Sequence, residues 1–462
     1  MKYFCYAIFF LSFSLSAHAA DTVVLDQWFS GRLNGQPALQ AHAVVTQHDD
    51  GTSTDALETV VLIARKLGAQ AIRFEVRESQ VYKVDIKGQV RSFRFDHTEN
   101  DAVTAATGRI EGRSVKATVL RLGRSTDTIL PLPEGQDLLG QQASQEHLAS
   151  RSWKIGDQER FVQLALLSGQ VQVVQTTATF KREDAKGNLV FDVSLDALPV
   201  PMGMTISKKG ALLGMNMNMG IFVIDMVPTT GPEKLAGAEL DAVNLVNAAG
   251  PAPATRPENR YRLPAGAQAA HDEFQRQDDT LVTVQSVAQP APLADAKYFL
   301  RAEAQLELDD PALRTWVESL AQDHRDDPAN LAELLRLAVR SHIAIKDLSQ
   351  GDASALEAFR SKRGDCTEHA NLLCAALRIA NLPARVEVGL VFSPVHGGWV
   401  GHAWNSAHIA GRWTHLDSAY PGIARSCYLK LGSTSGGTWT ATGAALMGNL
   451  GTLLGKTVET LP

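Results

Sequence analysis

Gly364-Asp365-Cys366-Thr367-Glu368-His369-Ala370 is the stretch that orders the rest of the chain. Behind it Ala370, Leu373, Cys374 and Leu377 recur at i, i+3, i+4 and i+7, the spacing of a helix with one face on a core. Cys366 falls in the first turn of that helix. There, unpaired backbone N–H groups and the positive end of the helix dipole favour a thiolate and lower a cysteine pKa. The residue before a proline avoids the helical region, so the helix should stop near Asn381-Leu382-Pro383.

The period then changes from 3.6 to two. Val386, Val388, Leu390 and Phe392 alternate with other residues, which predicts a strand. A second strand is expected from about His402 to Ile409 and a third from Arg412 to Asp417, joined by Ala410-Gly411 as a two-residue hairpin turn. With that turn, opposed residues have numbers that sum to 821, so Trp404 faces Asp417 and His402 lies diagonally beside it. Diagonal neighbours on one face have β-carbons roughly 7 Å apart, within reach of an imidazole and a carboxylate. A cysteine, a histidine and an acid in this order suit a thiol nucleophile, its base and the base's orienter.

The stretch resembles the transglutaminase-like superfamily over about residues 309–435. The resemblance rests on the GDC-x-EHA box at 364–370, Leu382-Pro383-Ala384-Arg385 after the helix, Gly401-His402-Ala403-Trp404, and Trp413-Thr414-His415-Leu416-Asp417. It implies a papain-like α+β core with Cys366 as nucleophile, His402 as general base and acid, and Asp417 as orienter. It also implies that Trp404 and Trp413 flank the site. Activities in the superfamily range over amide hydrolysis, acyl transfer to an amine, and inactive members.

Taken singly, these residues have plainer readings. A lone cysteine opening a helix is usually a small core residue, and a lone strand histidine a satisfied polar group. Three ordered boxes with consistent placement outweigh that reading. His396, His402, His408 and His415 cluster in sequence, but their spacings match no zinc pattern, so no metal and no cofactor are expected. Met215-Asn216-Met217-Asn218-Met219, near Met202, Met204 and Met226, puts thioethers on one strand face. Soft sulfur could bind Cu(I), whereas packing of an apolar face is the plainer use.

The N-terminus reads as a leader: Met1-Lys2, an apolar run from Tyr3 to Leu15, then Ala17-His18-Ala19-Ala20 as a small-residue cleavage site. Secretion, most simply to a bacterial periplasm, is the expectation. No later segment is long and apolar enough to span a bilayer; the nearest, Ala211 to Met226, contains Asn216, Asn218 and Asp225. Removal of Lys2 with the leader leaves 43 basic against 50 acidic residues, a charge of −7. Such a chain carries no footprint for nucleic acid. Cys5 would leave with the leader, and an odd count of three then suggests one pair and one reactive thiol, with Cys374–Cys427 as the available pair if Cys366 stays free.

The fold class read from the whole is α+β. Residues 21–226 form a β-rich N-terminal region of antiparallel hairpins, including Val81–Ile86 with Val90–Phe95 around Lys87-Gly88, and Val171–Phe180 with Asn188–Leu195 around Ala185-Lys186-Gly187. A curved sheet or half-barrel would accommodate them. Residues 227–292, rich in Pro, Gly and Ala, read as a linker. Residues 293–462 form the transglutaminase-like domain, in which Asp310-Pro311 and Asp327-Pro328 start two helices ahead of the Cys366 helix.

The function expected is a secreted thiol enzyme acting on amide bonds of a protein or peptide through a thioester, hydrolysis favoured. Acyl transfer to an amine and a non-catalytic binding module of the cell envelope are the alternatives.

Overall fold

The computed structural model describes residues 21–67, 70–99, 102–121, 123–167, 169–196, 201–218, 223–241, 246–293, 295–346, 353–420, 422–433 and 449–462. The leader expected at 1–20 and Met219 lie outside these residues.

The N-terminal region is one large sheet. Its first half runs β1 (Thr22–Leu33), β2 (Gln36–Gln47), β3 (Ser53–Leu67), β4 (Gln70–Val84), β5 (Val90–Glu99), β6 (Ala102–Glu111), β7 (Ser114–Arg121) and β8 (Arg124–Pro131). Helix α1 (Gln141–Ser150) follows. The second half is β9 (Gln158–Leu167), β10 (Gln170–Glu183), β11 (Leu189–Leu195), β12 (Met202–Ile206), β13 (Leu212–Asn218) and β14 (Val223–Thr229). Each strand pairs antiparallel with its sequence neighbour, and β1 joins β14 to make the sheet continuous from β8 to β9. One short strand, β15 (Ala238–Asp241), adds parallel to β3. Both expected hairpins are present, their turns closed by Gly88 and Gly187 at φ 78° and 77°, where a side chain would be strained.

The sheet curls because its two ends share one core. Phe93, Phe95, Val115 and Val119 from one end pack against Val162, Leu164 and Val171 from the other. Beside that seam, Leu148 of α1 packs among Phe29, Phe180 and Phe191 on the concave face. The methionines read from the sequence line the same wall: Met204 pairs with Met215 and Met215 with Met226 across adjacent strands, packed against this core.

The segment expected as a linker is built into a second sheet. It carries β16 (Asn247–Ala249), β17 (Glu258–Arg262), β18 (Gln275–Asp278) and β19 (Leu281–Gln285), ordered β16, a C-terminal strand, β17, β19, β18. The strands are three to five residues long, and the Pro- and Ala-rich turns between them dominate the composition, which hid them. Tyr261, Val282 and Val284, all fully buried, are the alternating residues that hold the sheet.

Four helices follow: α2 (Pro311–Ala321), α3 (Pro328–His342), α4 (Ala355–Ser361) and α5 (Cys366–Ile379). Asp310 and Asp327 cap the first two as expected, their side chains accepting first-turn N–H groups. Helix α4 was not anticipated, although Ser354 and Glu357 form the reciprocal capping box of an S-x-x-E start. A two-residue parallel bridge, β20 (Ile345–Lys346) with β21 (Arg363–Gly364), leads into α5.

The last sheet holds β22 (Ala384–Ser393), β23 (Gly398–Ile409), β24 (Arg412–Leu416) and β25 (Tyr428–Ser433) in the order β24-β23-β22-β25. Helix α5 packs Leu373, Cys374 and Leu377 on Val386, Ala403 and Ala407, with Leu313, Val317, Leu335 and Val339 of α2 and α3 in the same core. Farther along the strands, Leu390, Phe392, Trp399 and Leu429 meet Tyr261, Val282 and Val284 of the small sheet, together with Val458 of β26 (Thr457–Thr460), the strand between β16 and β17. The N-terminal sheet touches this domain through ion pairs of Arg121 with Glu357, 2.6 Å, and Arg124 with Asp309, 2.9 Å.

Candidate active site

Helix α5 begins at Cys366 because Asp365 caps it. The Asp365 carboxylate accepts the Thr367 N–H at 3.0 Å, and Glu368 reaches back to the Asp365 N–H at 2.8 Å. Gly364 precedes this box at φ 154°, and a β-carbon there would lie 2.3 Å from that of Glu368. The helix ends at Ile379, and Asn381 turns the chain at φ 63° ahead of Pro383.

The hairpin from β23 to β24 has the anticipated register. Ile409 faces Arg412 and Asn405 faces Leu416 across Ala410-Gly411, both of which have positive φ. That register brings His402 Nε2 to 2.7 Å from Asp417 Oδ2. Asp417 is buried and fully engaged: the Tyr428 hydroxyl donates to Oδ2 at 2.8 Å, and the N–H groups of Ala419 and Tyr420 donate to Oδ1 at 2.8 and 2.9 Å. Burial works to raise the carboxyl pKa, but the His402 ring and these donors overcome it and hold Asp417 well below the ordinary carboxylate range.

His402 is 5 % exposed, stacked on Trp404 and met edge-on by Tyr420 with ring centres 4.8 Å apart. With Nε2 committed to Asp417, Nδ1 is the nitrogen left for chemistry. Ala403, the next residue, faces α5, and its backbone N–H interacts with the Cys366 sulfur. Trp413, expected with Trp404 to flank the site, is buried against Phe274 and Phe299, with the Arg385 guanidinium over its ring at 4.0 Å.

The electrostatics of the sulfur differ from the expectation of a depressed thiol. Burial pushes the Cys366 thiol up, and the carboxyl groups of Asp365, Glu368 and Asp417 push it further, against the Ala403 N–H. The helix-start effect is spent: Asp365 absorbs the first-turn donors that would otherwise favour a thiolate. The residue as a whole is half-buried.

Several site residues carried no sequence signal. Tyr428 and Tyr420 lie in segments without a motif. Ser418 and Lys346 join His369, the sixth residue of the opening box, in a hydrogen-bonded row beside the sulfur. His415, inside the fourth box, is neutral: burial, then the Arg425 charge, lowers its pKa to about 3, and neither ring nitrogen has a hydrogen-bond partner among the described residues.

The expected Cys374–Cys427 disulfide is absent. Cys374 packs in the core beneath α5, whereas Cys427 belongs to a separate cluster with Val391, Trp404 and Tyr428, its sulfur 3.5 Å from the Ala254 carbonyl. Among the described residues no group of three or more His, Cys, Asp or Glu side chains could hold a metal, and no helix is long and apolar enough to cross a membrane.

The C-terminal domain, with a cysteine at a helix start against a His–Asp pair on an antiparallel hairpin, is transglutaminase-like: residues 314–418 match the model of the transglutaminase-like superfamily. Among solved structures, the chain is similar to a candidate cysteine protease from Cytophaga hutchinsonii at 13% identity, covering 38% of this chain and 78% of that one, with a TM-score of 0.28. It is also similar to the periplasmic domain of TgpA from Pseudomonas aeruginosa bound to ethylmercury, at 19% identity, 36% and 73% coverage and a TM-score of 0.26. A β-barrel-like protein of a domain of unknown function from Brucella abortus matches at 14% identity, 44% and 95% coverage and a TM-score of 0.31. No relative was found among the curated proteins.

Proposed function

We propose that the protein is a secreted thiol enzyme that acts on amide bonds of a protein or peptide, with Cys366 as nucleophile, His402 as general base and acid, and Asp417 as orienter. The observation that carries this reading is the 2.7 Å bond from His402 Nε2 to Asp417 Oδ2, which leaves Nδ1 outside that pair, on the strand whose next residue, Ala403, meets the Cys366 sulfur through its N–H. His402 Nδ1 takes the thiol proton as the sulfur attacks the amide carbonyl, then returns it to the leaving amine, giving a thioester and a free amine. Water next attacks the thioester carbonyl, releasing the acid and regenerating the thiol. The Cys366 N–H is the donor we assign to the developing oxyanion, since Asp365 occupies its neighbour at Thr367. A thiol of raised pKa fits this scheme because the proton leaves as attack begins, so no standing thiolate is required.

Hydrolysis is preferred over acyl transfer because water needs no docking site. Mass spectrometry of cell-envelope peptides incubated with the protein and with Cys366→Ala tests the assignment. A cleaved backbone or a side-chain amide converted to the acid identifies hydrolysis, and a new amine cross-link identifies transfer, ammonia being released from a side-chain amide in either case. Identical peptide maps from the two proteins would reject the enzyme. A non-catalytic binding module of the envelope is the second reading, favoured by one observation: burial and the surrounding acids oppose ionisation of the sulfur. Electrophile labelling separates the two, because only an enzyme's Cys366 should lose reactivity on His402→Ala.

A further inference from the structure

One basic side chain is tied to the site at both ends. Lys346 pairs through its backbone with Gly364, two residues before Cys366. Its Nζ lies 3.0 Å from His369 Nε2, and His369 follows Cys366 by three residues, on the same side of α5. The bonding has one direction. A lysine ammonium has only hydrogens to offer, so His369 Nε2 accepts, and the ring proton must sit on Nδ1. From there it donates to Ser418 Oγ at 3.2 Å, and that hydroxyl reaches the His369 carbonyl at 3.4 Å.

This arrangement is costly to build as mere packing. His369 is 1 % exposed, and burial followed by the Lys346 charge lowers its pKa to about 3, so the ring is committed as a neutral acceptor. A surface lysine needs no buried imidazole to satisfy it, since water does so freely. The charges around it supply the reason. Facing the sulfur are Asp365 and Glu368 from the start of α5 and Asp417 just after β24, while Arg340 of α3 is a cation near Lys346. Arg340 directs its guanidinium to the carbonyls of Ser418 and Ala419, whereas Lys346, held by His369, interacts electrostatically with Cys366.

We propose that Lys346, clamped by His369, is a positioning residue that offsets the acidic surroundings of Cys366 and so sets the pH at which its sulfur becomes reactive. The inference rests on the thiol-enzyme reading. When the Cys366 proton passes to His402, the sulfur gains one negative charge and the ring one positive; Lys346 keeps its proton and stabilises the former. No co-reactant is needed.

The test is the rate at which iodoacetamide alkylates Cys366, followed by peptide mass spectrometry between pH 5 and 10. Lys346→Met should move the profile about one pH unit to the alkaline side, roughly a tenfold slower rate at pH 7, as expected for loss of a nearby cation. Lys346→Arg should restore most of the rate, and His369→Phe should mimic Lys346→Met, with unchanged thermal unfolding of Lys346→Met marking an intact fold. Lys346→Met and Lys346→Gln profiles superimposed on the native one would overturn the inference while leaving the nucleophile intact. A native Cys366 as slow as an exposed model thiol and indifferent to His402→Ala would remove the thiol-enzyme reading, and this inference with it.

Discussion

The Tyr428 hydroxyl and His402 Nε2 converge on one oxygen, Oδ2 of Asp417, at 2.8 and 2.7 Å. Tyr428 comes from β25, at the opposite edge of the sheet from β24, so the acid bonded to the histidine is held by two strands. Asp417→Asn keeps the shape but loses the charge that fixes the histidine tautomer. It should lower peptide turnover and His402-dependent labelling by about 10²- to 10⁴-fold, the range of general acid–base contributions. Tyr428→Phe removes one hydrogen bond to a charged group and should cost about tenfold. Equal rates for Asp417→Asn and the native protein would exclude Asp417 as orienter.

Acid should unfold the C-terminal domain early. His369 and His415 are held near pKa 3 by burial, with the Lys346 and Arg425 charges respectively adding to it, while the unfolded chain protonates both near 6.5. A depressed folded pKa gives a contribution that is complete above pH 6.5 and shrinks as pH falls from 6.5 toward 3. The loss is about 1 kcal/mol per pH unit for each histidine. His415→Leu forfeits no hydrogen bond and should flatten the acid limb in urea denaturation measured at successive pH values. An unchanged limb would refute the neutral assignment.

Behind the site, Lys430 Nζ bridges two buried acids, Asp272 Oδ2 at 3.0 Å and Glu387 Oε2 at 2.7 Å. Lys430→Met leaves both carboxylates short of a cation in the interior and should destabilise the domain by about 3–5 kcal/mol in chemical denaturation. Lys430→Arg should recover part of this. A loss under about 1 kcal/mol would mean that Arg385 and Arg425 alone neutralise the cluster.

Gly364→Ala should disturb the start of α5 rather than its core. The added methyl meets Glu368 at 2.3 Å and a backbone at φ 154°, so the capping box must open. A drop of about 2 kcal/mol is expected, with Cys366 labelling altered more than the melting temperature implies. Normal stability and labelling together would show that the box has slack.

The transglutaminase-like half was legible because its signals are local. A cap, an apolar period and a two-residue turn place Cys366, His402 and Asp417 without reference to anything distant. The small sheet was not, since β17 and β19 hold five residues each and owe their stability to Trp399, Leu429 and Leu453, far away in the chain. Tyr428 and Lys346 were invisible for a related reason: each acts through a partner 11 to 23 positions away, and no periodicity marks such a pair. The raised thiol pKa shows the same limit. The helix start argued for ionisation, and the neighbours brought in by tertiary folding argued against it.

Every pairing in the large N-terminal sheet from β1 to β8, and again from β9 to β14, joins strands adjacent in sequence; the seam from Trp28 to Thr229 does not. Two meanders can therefore zip up quickly and independently, whereas their union must close a loop of about 200 residues and wait on chain diffusion. Joining the two meanders is thus a late encounter, and a nascent chain retarded at that point would present the bare edges of β1 and β14 to its neighbours.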